Sequence, residues 1–172
     1  SAVLLGSSLL MLAATQAISA PTMIGSEACK DCHQKEHAQY LTTSHGRAEQ
    51  DGATLNEKMG CETCHGAGSE HAAASGDTKD PGFATIQLPS KMKAGDANAI
   101  CLGCHKGGDQ FYWQHSAHAR KDVACISCHS IHNSKDGGHA KLLKAENTTA
   151  LCLTCHKGSH LAMGKSAHMP VG

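Results

Sequence analysis

The sequence predicts a mainly α-helical chain with much irregular coil and few or no strands. Aromatic residues make up only 3% of its 172 residues, too few to build a packed aromatic core. Glycine is frequent, at 18 residues. One pattern, Cys-x-x-Cys-His, occurs five times and uses all ten cysteines. We therefore expect the chain to be organised around groups other than its own aromatic side chains.

The recurring pattern is typical of c-type haem attachment. Two thiols form thioethers with the haem vinyl groups, and the next histidine can bind the iron as the proximal ligand. A disulfide framework gives no reason for a histidine after each cysteine pair. A structural zinc site needs four ligands, usually two such pairs, so five pairs would leave one unmatched. The predicted attachment cysteines are Cys29, Cys32, Cys61, Cys64, Cys101, Cys104, Cys125, Cys128, Cys152 and Cys155, and the predicted proximal ligands are His33, His65, His105, His129 and His156.

Five covalently bound haems c would explain the composition, because five large flat macrocycles replace the missing aromatic core. Only roughly 30 residues serve each haem, so the haems must lie close together. We expect a multihaem cytochrome c fold organised around five closely spaced haems, with each motif ending a helical turn. Residues 72–89 hold no cysteine and predict a long connection. Asn147 is predicted to cap the helix that leads into Cys152.

The distal ligands are sought among the remaining histidines. The chain has 14 histidines, more than five irons require, so every iron can have two histidine ligands. Such an iron is closed to small molecules and keeps its ligands in both oxidation states, which suits electron transfer. The predicted distal ligands are His45, His71, His118, His132 and His168.

Alternatives to these distal ligands remain open. His37 competes with His45, and His115 competes with His118. His132 follows the fourth motif too closely to reach the same iron, so we expect it to serve a neighbouring haem. Methionine is the other common distal ligand and would raise the reduction potential. The methionines close enough to a motif are Met59, Met163 and Met169.

The N-terminus is typical of an export signal. Residues 2–14 are almost continuously apolar, and small residues follow them. The alternative is a retained membrane anchor, although the run is short for a span of about 20 residues. We thus predict a signal peptide or N-terminal membrane anchor at 1–20 and a pentahaem cytochrome c domain at 21–172. Haem c is attached outside the cytoplasm, which favours the periplasm or the outer-membrane surface of a Gram-negative bacterium.

The charge balance argues against nucleic-acid binding. Lys plus Arg and Asp plus Glu number 15 each. Two propionates on each haem would add roughly ten negative charges, so the loaded protein has no basic character. The aromatic cluster of Phe111, Tyr112 and Trp113 is expected to contact a haem edge.

The arrangement of the motifs resembles a known family. The runs GCETCHGAGSEH (60–71), WQHSAHARKDVACISCHSIH (113–132) and LCLTCHKGSHLAMGKSAHMP (151–170) are similar to the pentahaem module of the MtrA/DmsE-type periplasmic cytochromes. They are also similar to the NrfB-type pentahaem cytochromes. The resemblance covers nearly all of the chain from residue 26 onward. It implies a wire-like row of closely spaced haems, each with two histidine ligands, and supports His71, His118, His132 and His168 as ligands.

The expected function is electron transfer without catalysis. Expected partners are other redox proteins: a quinol-oxidising cytochrome as donor, and a terminal reductase or porin–cytochrome conduit as acceptor. One alternative is a self-assembling cytochrome nanowire subunit or a subunit of a membrane-bound electron-transfer complex. A multihaem reductase would need an iron with an open position. All five motifs keep their histidine and the chain is short for a guarded pocket, so we predict a carrier and no catalytic residues.

Overall fold

The computed structural model describes residues 20–51, 60–132 and 142–159. Within these ranges the chain forms short α-helices and 3₁₀ segments and no β-strand, apart from one isolated antiparallel bridge between His129 and Leu143. The predicted class, mainly helical with much coil, is confirmed. The α-helices are α1 (Ser26–Lys30), α2 (Gln34–Leu41), α3 (Ser44–Gln50), α4 (Cys61–His65), α5 (Ser69–Ala73), α6 (Ala94–Leu102), α7 (Cys125–Cys128) and α8 (Thr148–Leu153). The 3₁₀ segments are Pro81–Thr85, Pro89–Lys91, Gly108–His115, Ala119–Lys121 and Lys157–Ser159.

The described part of the chain has little apolar core. Its buried apolar side chains are those of Tyr40, Ala74 and Ala97, and no large side chain there is fully enclosed. A chain that buries so little apolar surface gains little from the hydrophobic effect. Polar contacts between segments therefore matter more than usual. The buried polar side chains are His37, Thr43, Glu62 and Asn98.

The corner between α2 and α3 is tight and capped. The hydroxyl of Thr43 accepts a hydrogen bond from the Gly46 amide at 3.2 Å and donates one to the Tyr40 carbonyl at 2.6 Å. A Cβ at Gly46 would lie 2.2 Å from the Tyr40 carbonyl oxygen and 2.6 Å from the Cα of Leu41. Only glycine fits this approach. The corner fixes His45 in the first turn of α3.

The helices that carry the first four motifs contact one another in chain order. Helix α1 packs against α2 and α4, α4 packs against α6, and α6 packs against α7. This succession places motif beside motif along the described part of the chain, so the local structure arranges the attachment residues in a row.

The connection after α5 is more structured than a plain linker. It contains the 3₁₀ segment Pro81–Thr85, whose first turn is capped by the Asp80 carboxylate accepting from the Gly82 amide at 2.7 Å. This segment packs against α5.

The predicted cap at Asn147 is confirmed, because its side-chain oxygen accepts from the Ala150 amide at 2.8 Å at the start of α8.

Among the described residues, no helix combines the length and the apolar character needed to cross a membrane. The predicted signal peptide or anchor falls on residues 1–20, of which only Ala20 lies within the described ranges. That interpretation and the proposed boundary between 20 and 21 stay predictions.

Candidate haem-attachment site

Each motif forms one helical turn, as the sequence predicts. The backbone amide of the motif histidine donates to the carbonyl of the first cysteine at 2.9 Å in the first, third and fifth motifs and at 3.0 Å in the fourth. The second motif is the whole of α4. Residues at positions i, i+3 and i+4 of a helical turn share one face. The two thiols and the imidazole therefore lie on the same side of each turn, as attachment of one haem requires.

Cysteines of successive motifs are neighbours in space. Cys29 and Cys61 interact through their thiols, which links the first and second motifs. Burial, and to a smaller extent the neighbouring Cys61 and Glu62, raise the pKa of Cys29 to about 11. Cys101 and Cys125 interact in the same way, and burial followed by Cys101 raises the pKa of Cys125 to about 11. A raised thiol pKa marks apolar surroundings.

The second motif adjoins the third, and the fourth adjoins the fifth. In both cases the second cysteine of the earlier motif lies near the cysteines of the later one. Burial raises the pKa of Cys64, and Cys101 and Cys104 of the third motif add to this effect. Burial also raises the pKa of Cys128, and the two cysteines of the fifth motif lie near it. The five motifs thus adjoin in the order one to five.

Among the described residues, histidine rings meet in four pairs. Each ring pair joins one predicted proximal ligand to one predicted distal ligand from a different part of the chain. The remaining predicted proximal ligand is His129 of the fourth motif, and the remaining predicted distal ligand, His168, lies outside the described residues. The ring pairs, with centroid separations, are His33–His71 at 6.2 Å, His45–His105 at 5.8 Å, His65–His132 at 6.1 Å and His118–His156 at 6.1 Å.

These separations fit two axial ligands of one metal ion. Metal–imidazole bonds of about 2 Å on opposite sides, with each ring centroid about 1 Å beyond its nitrogen, give a separation of about 6 Å. A zinc site would instead gather four ligands around one ion. Among the described residues, no three His, Cys, Asp or Glu side chains converge in that way. The donor set suits haem iron, held by two histidines and tethered by two thioethers.

Backbone carbonyls orient two of these rings. The Nδ1 atom of His65 lies 2.8 Å from the Gln87 carbonyl oxygen, and that of His71 lies 2.8 Å from the Phe83 carbonyl oxygen. An Nδ1–H that donates to a carbonyl leaves Nε2 free to bind a metal. The connection predicted at 72–89 therefore orients two of the predicted ligands, His65 and His71. Sequence reasoning missed this role, because backbone carbonyls carry no residue-type signal.

The Nδ1 atoms of two other rings make no such bond among the described contacts. The Nδ1 atoms of His45 and His132 are buried and have no hydrogen-bond partner within the part of the chain that the structure describes. Burial lowers the pKa of His45, and the adjacent His105 lowers it further. Burial is also the main cause that lowers the pKa of His132. The neutral imidazole favoured by these shifts is the form that binds metals.

The structure distinguishes the competing histidines. His37 is buried, and its Nε2 lies 3.5 Å from a carboxylate oxygen of Glu27. His45 is brought to another imidazole, and His118 is too. Among the described contacts, His37 and His115 take part in no histidine ring pair. The alternative ligands Met59, Met163 and Met169 lie outside the described residues.

The aromatic cluster is at the surface of the described structure. Phe111 and Tyr112 pack edge to face at 5.0 Å and are 64% and 70% exposed. Their expected contact with a haem edge stays a prediction.

A buried carboxylate that sequence reasoning missed joins the first two motifs. Glu62 lies between the two cysteines of the second motif and is 8% exposed. Its oxygens accept hydrogen bonds from the amides of Ile24 and Gly25, just ahead of α1, and from the amide of Gly68. Three of these bonds are 2.8 or 2.9 Å long. Glu62 thus ties the approach to the first motif onto the second. The only available signal was an acidic residue inside the motif.

The family model described as cytochrome c-type protein, NrfB-like, matches residues 61–155, which hold the second, third and fourth motifs and both cysteines of the fifth. The chain belongs to the NrfB-like c-type cytochromes. The family assignment supports haem c as the cofactor of this chain.

Curated relatives agree with this family. The NrfB-like chain is 27% identical over 149 residues to the multiheme cytochrome MtrA of Shewanella baltica, covering 86% of this chain and 42% of that protein. It is 28% identical over 137 residues to the cytochrome c-type protein NrfB of Escherichia coli, covering 75% of this chain and 64% of that protein. It is also 23% identical to the dissimilatory sulfite reductase MccA of Wolinella succinogenes, covering 83% of this chain and 27% of that enzyme. In each case the chain spans less than two thirds of the relative.

Proposed function

We propose that this NrfB-like cytochrome binds five haems c, one on each motif, and serves as an electron carrier rather than an enzyme. The observation that carries the proposal is the set of four ring pairs at 5.8 to 6.2 Å. A histidine on each side leaves an iron no position for a substrate. When bound, haem supplies a one-electron Fe(III)/Fe(II) couple. The residues of the chain tether, orient and space these groups.

The proposed ligands come from distant parts of the chain. A motif supplies two cysteines and the proximal histidine, while another segment supplies the distal histidine. This interleaving supports a fold that depends on haem attachment, because each loaded motif would cross-link two segments. The pairs of histidines that would hold an iron are His33 with His71, His65 with His132, His105 with His45, and His156 with His118. For the fourth motif, His168 is the proposed ligand that would join His129.

We further propose that electrons pass along the motifs in sequence order. Support comes from the helix contacts α1 with α4, α4 with α6 and α6 with α7. The cysteine neighbours extend the same order to the fifth motif. The first and fifth motifs then form the two ends of the row, one for the donor and one for the acceptor.

The partners are proposed to be redox proteins outside the cytoplasm. Covalent haem attachment and the apolar N-terminal run favour the periplasm or the outer-membrane surface. A quinol-oxidising cytochrome is the proposed donor, and a terminal reductase or a porin–cytochrome conduit the proposed acceptor. The polypeptide has no net charge with neutral histidine. Roughly ten propionate charges would make the holoprotein acidic, so positively charged docking surfaces on its partners are expected.

The test combines a haem count with a ligand-binding measurement. Intact mass of the purified holoprotein should show five haems attached. Carbon monoxide added to the fully reduced protein should cause no spectral change, because all five irons keep both histidines. Fewer than five haems, or a carbon monoxide spectrum worth one haem, would overturn the corresponding part of the proposal.

A second candidate function is a reductase module, favoured by the likeness to the sulfite reductase MccA. An enzyme of that kind needs one iron that accepts an exogenous ligand. A carbon monoxide signal worth one haem, together with sulfite-dependent oxidation of the reduced protein, would establish this alternative.

A further inference from the structure

The motifs alternate in how their helices begin. The first, third and fifth motifs lie at the ends of α1, α6 and α8, each of which starts before its first cysteine. The second and fourth motifs differ, because α4 and α7 start at the first cysteine itself. The amides of Cys61 and Cys125 are therefore first-turn donors, for which a helix offers no internal acceptor.

The residues that precede these two helices cannot satisfy the exposed amides. Gly60 and Ala124 occupy the N-cap positions, and neither has a side-chain oxygen. An N-cap side chain that accepts such a bond is usually Ser, Thr, Asp or Asn. The acceptor must come from elsewhere in the chain.

In both cases the acceptor comes from the helix that carries the preceding odd-numbered motif. The Ser26 hydroxyl oxygen accepts from the Cys61 amide at 3.2 Å, and the Asn98 side-chain oxygen accepts from the Cys125 amide at 2.7 Å. Ser26 and Asn98 occupy the same register, one turn ahead of the first cysteine of their own motifs. Each of the two side chains also makes a second hydrogen bond: Ser26 donates to Glu49 at 2.8 Å, and Asn98 donates to the Val123 carbonyl at 3.3 Å.

The first cysteines of the first and third motifs also make corresponding contacts. Cys29 donates to the Gly25 carbonyl at 3.6 Å, and Cys101 donates to the Ala97 carbonyl at 3.8 Å. Cys29 also contacts Cys61 through its thiol. Cys101 contacts Cys125 in the same way. Motifs one and two thus share with motifs three and four an amide cap between helices and a contact between their first cysteines, and we name these units the first and second motif pairs.

We propose that Ser26 and Asn98 are equivalent positioning residues, each of which locks two consecutive haem-attachment motifs into one rigid pair. The inference rests on the proposed function, since it concerns the haems that the motifs carry. Neither residue is a ligand or an attachment site. Each acts by fixing the start of the next motif helix relative to its own. The side chains differ, so the repeat is visible in the contacts and not in the sequence.

The expected consequence is that each side chain controls the geometry between the two haems of its pair. Circular dichroism in the Soret band reports this geometry, because neighbouring haems couple through their transition dipoles. In the holoprotein, Asn98→Ala should lose part of the Soret couplet, whereas Asn98→Asp keeps the acceptor for the Cys125 amide and should retain it. Ser26→Ala and Ser26→Thr should show the same contrast at the first motif pair.

A matched control separates positioning from general loosening. Asn147→Ala removes a helix cap of the same chemistry, 2.8 Å from the Ala150 amide, but that cap lies within a single motif helix. It should lower the unfolding midpoint and leave the couplet unchanged. The two sites lie in different motif pairs, so the effects of Asn98→Ala and Ser26→Ala should add in the double variant.

The outcomes distinguish this inference from the proposed function. A wild-type protein without five low-spin haems would refute the proposed function. Five low-spin haems in every variant, with an unchanged couplet in Asn98→Ala and Ser26→Ala, would refute the positioning role alone. So would an equal loss in Asn147→Ala or in the Asp and Thr variants. If Asn98→Ala yields no holoprotein, the Ser26 variants decide.

Discussion

The first and second motif pairs are built alike but secured differently. Both bring two motif helices together through a cap onto the amide of a cysteine. In the first pair the buried Glu62 carboxylate also accepts from two backbone amides ahead of the first motif and from the Gly68 amide after the second. The corresponding position of the second pair is Ile126, whose side chain has no hydrogen-bond acceptor.

This difference teaches which features the chemistry dictates. Cysteine and histidine positions follow from haem attachment and are identical in both pairs. The contacts that hold the motif helices together need only an acceptor for an exposed amide, so serine, asparagine or glutamate can provide it. In the first pair a buried carboxylate accepts hydrogen bonds from several backbone amides, whereas in the second pair the acceptors are neutral groups.

The largest predicted effect is the opening of one iron. His71→Ala removes a ring whose Nδ1 is held by a carbonyl, and His45→Ala removes one whose Nδ1 has no partner among the described residues. Each variant should bind carbon monoxide at one of the proposed five haems, measured by the reduced difference spectrum.

The control for these ligand variants is His37→Ala. His37 is buried beside Glu27 and takes part in no described histidine ring pair, so this variant should stay closed to carbon monoxide. A signal in His37→Ala with none in His45→Ala would reverse the assignment for the third motif.

The next largest effect is predicted for Glu62, the buried carboxylate of the first motif pair. Glu62→Ala leaves three backbone amides without their acceptor and should lower the free energy of unfolding of the holoprotein by about 3 kcal/mol. Ile126→Ala, the matched change in the second pair, should cost about 1 kcal/mol because that side chain is only half-buried. Guanidinium unfolding followed by far-ultraviolet circular dichroism measures both. Equal losses would show that the carboxylate adds no net stability.

The residue pattern of the sequence predicts the attachment chemistry but not the contacts that support it. Five identical motifs predict where thiols and proximal histidines lie, because residue type and spacing alone determine that chemistry. His45 and His118 could be preferred over their neighbours only from local context. The carbonyls of Phe83 and Gln87 and the caps at Ser26 and Asn98 escaped prediction, since they depend on distant segments meeting and any of several residue types would serve.

A smaller loss is expected at the corner that positions His45. In Gly46→Ala, the new Cβ would overlap the backbone of Tyr40 and Leu41, which cannot move aside as a flexible side chain can. Overpacking of this kind should cost about 2 kcal/mol, measured by guanidinium unfolding. Full stability in Gly46→Ala would mean that the α2–α3 corner is wider in the holoprotein.

The smallest predicted effect has the opposite sign and belongs to the second motif pair. Gly95 lies in the first turn of α6, and a Cβ there would meet open space. Gly95→Ala should stabilise the holoprotein by about 0.5 kcal/mol, because alanine loses less backbone entropy on folding into a helix. The same unfolding measurement checks it, with Gly46→Ala as the contrasting helical glycine. A loss of stability would mean that a haem of the second motif pair fills the space beside α6, so the glycine would then be required for close approach rather than merely tolerated.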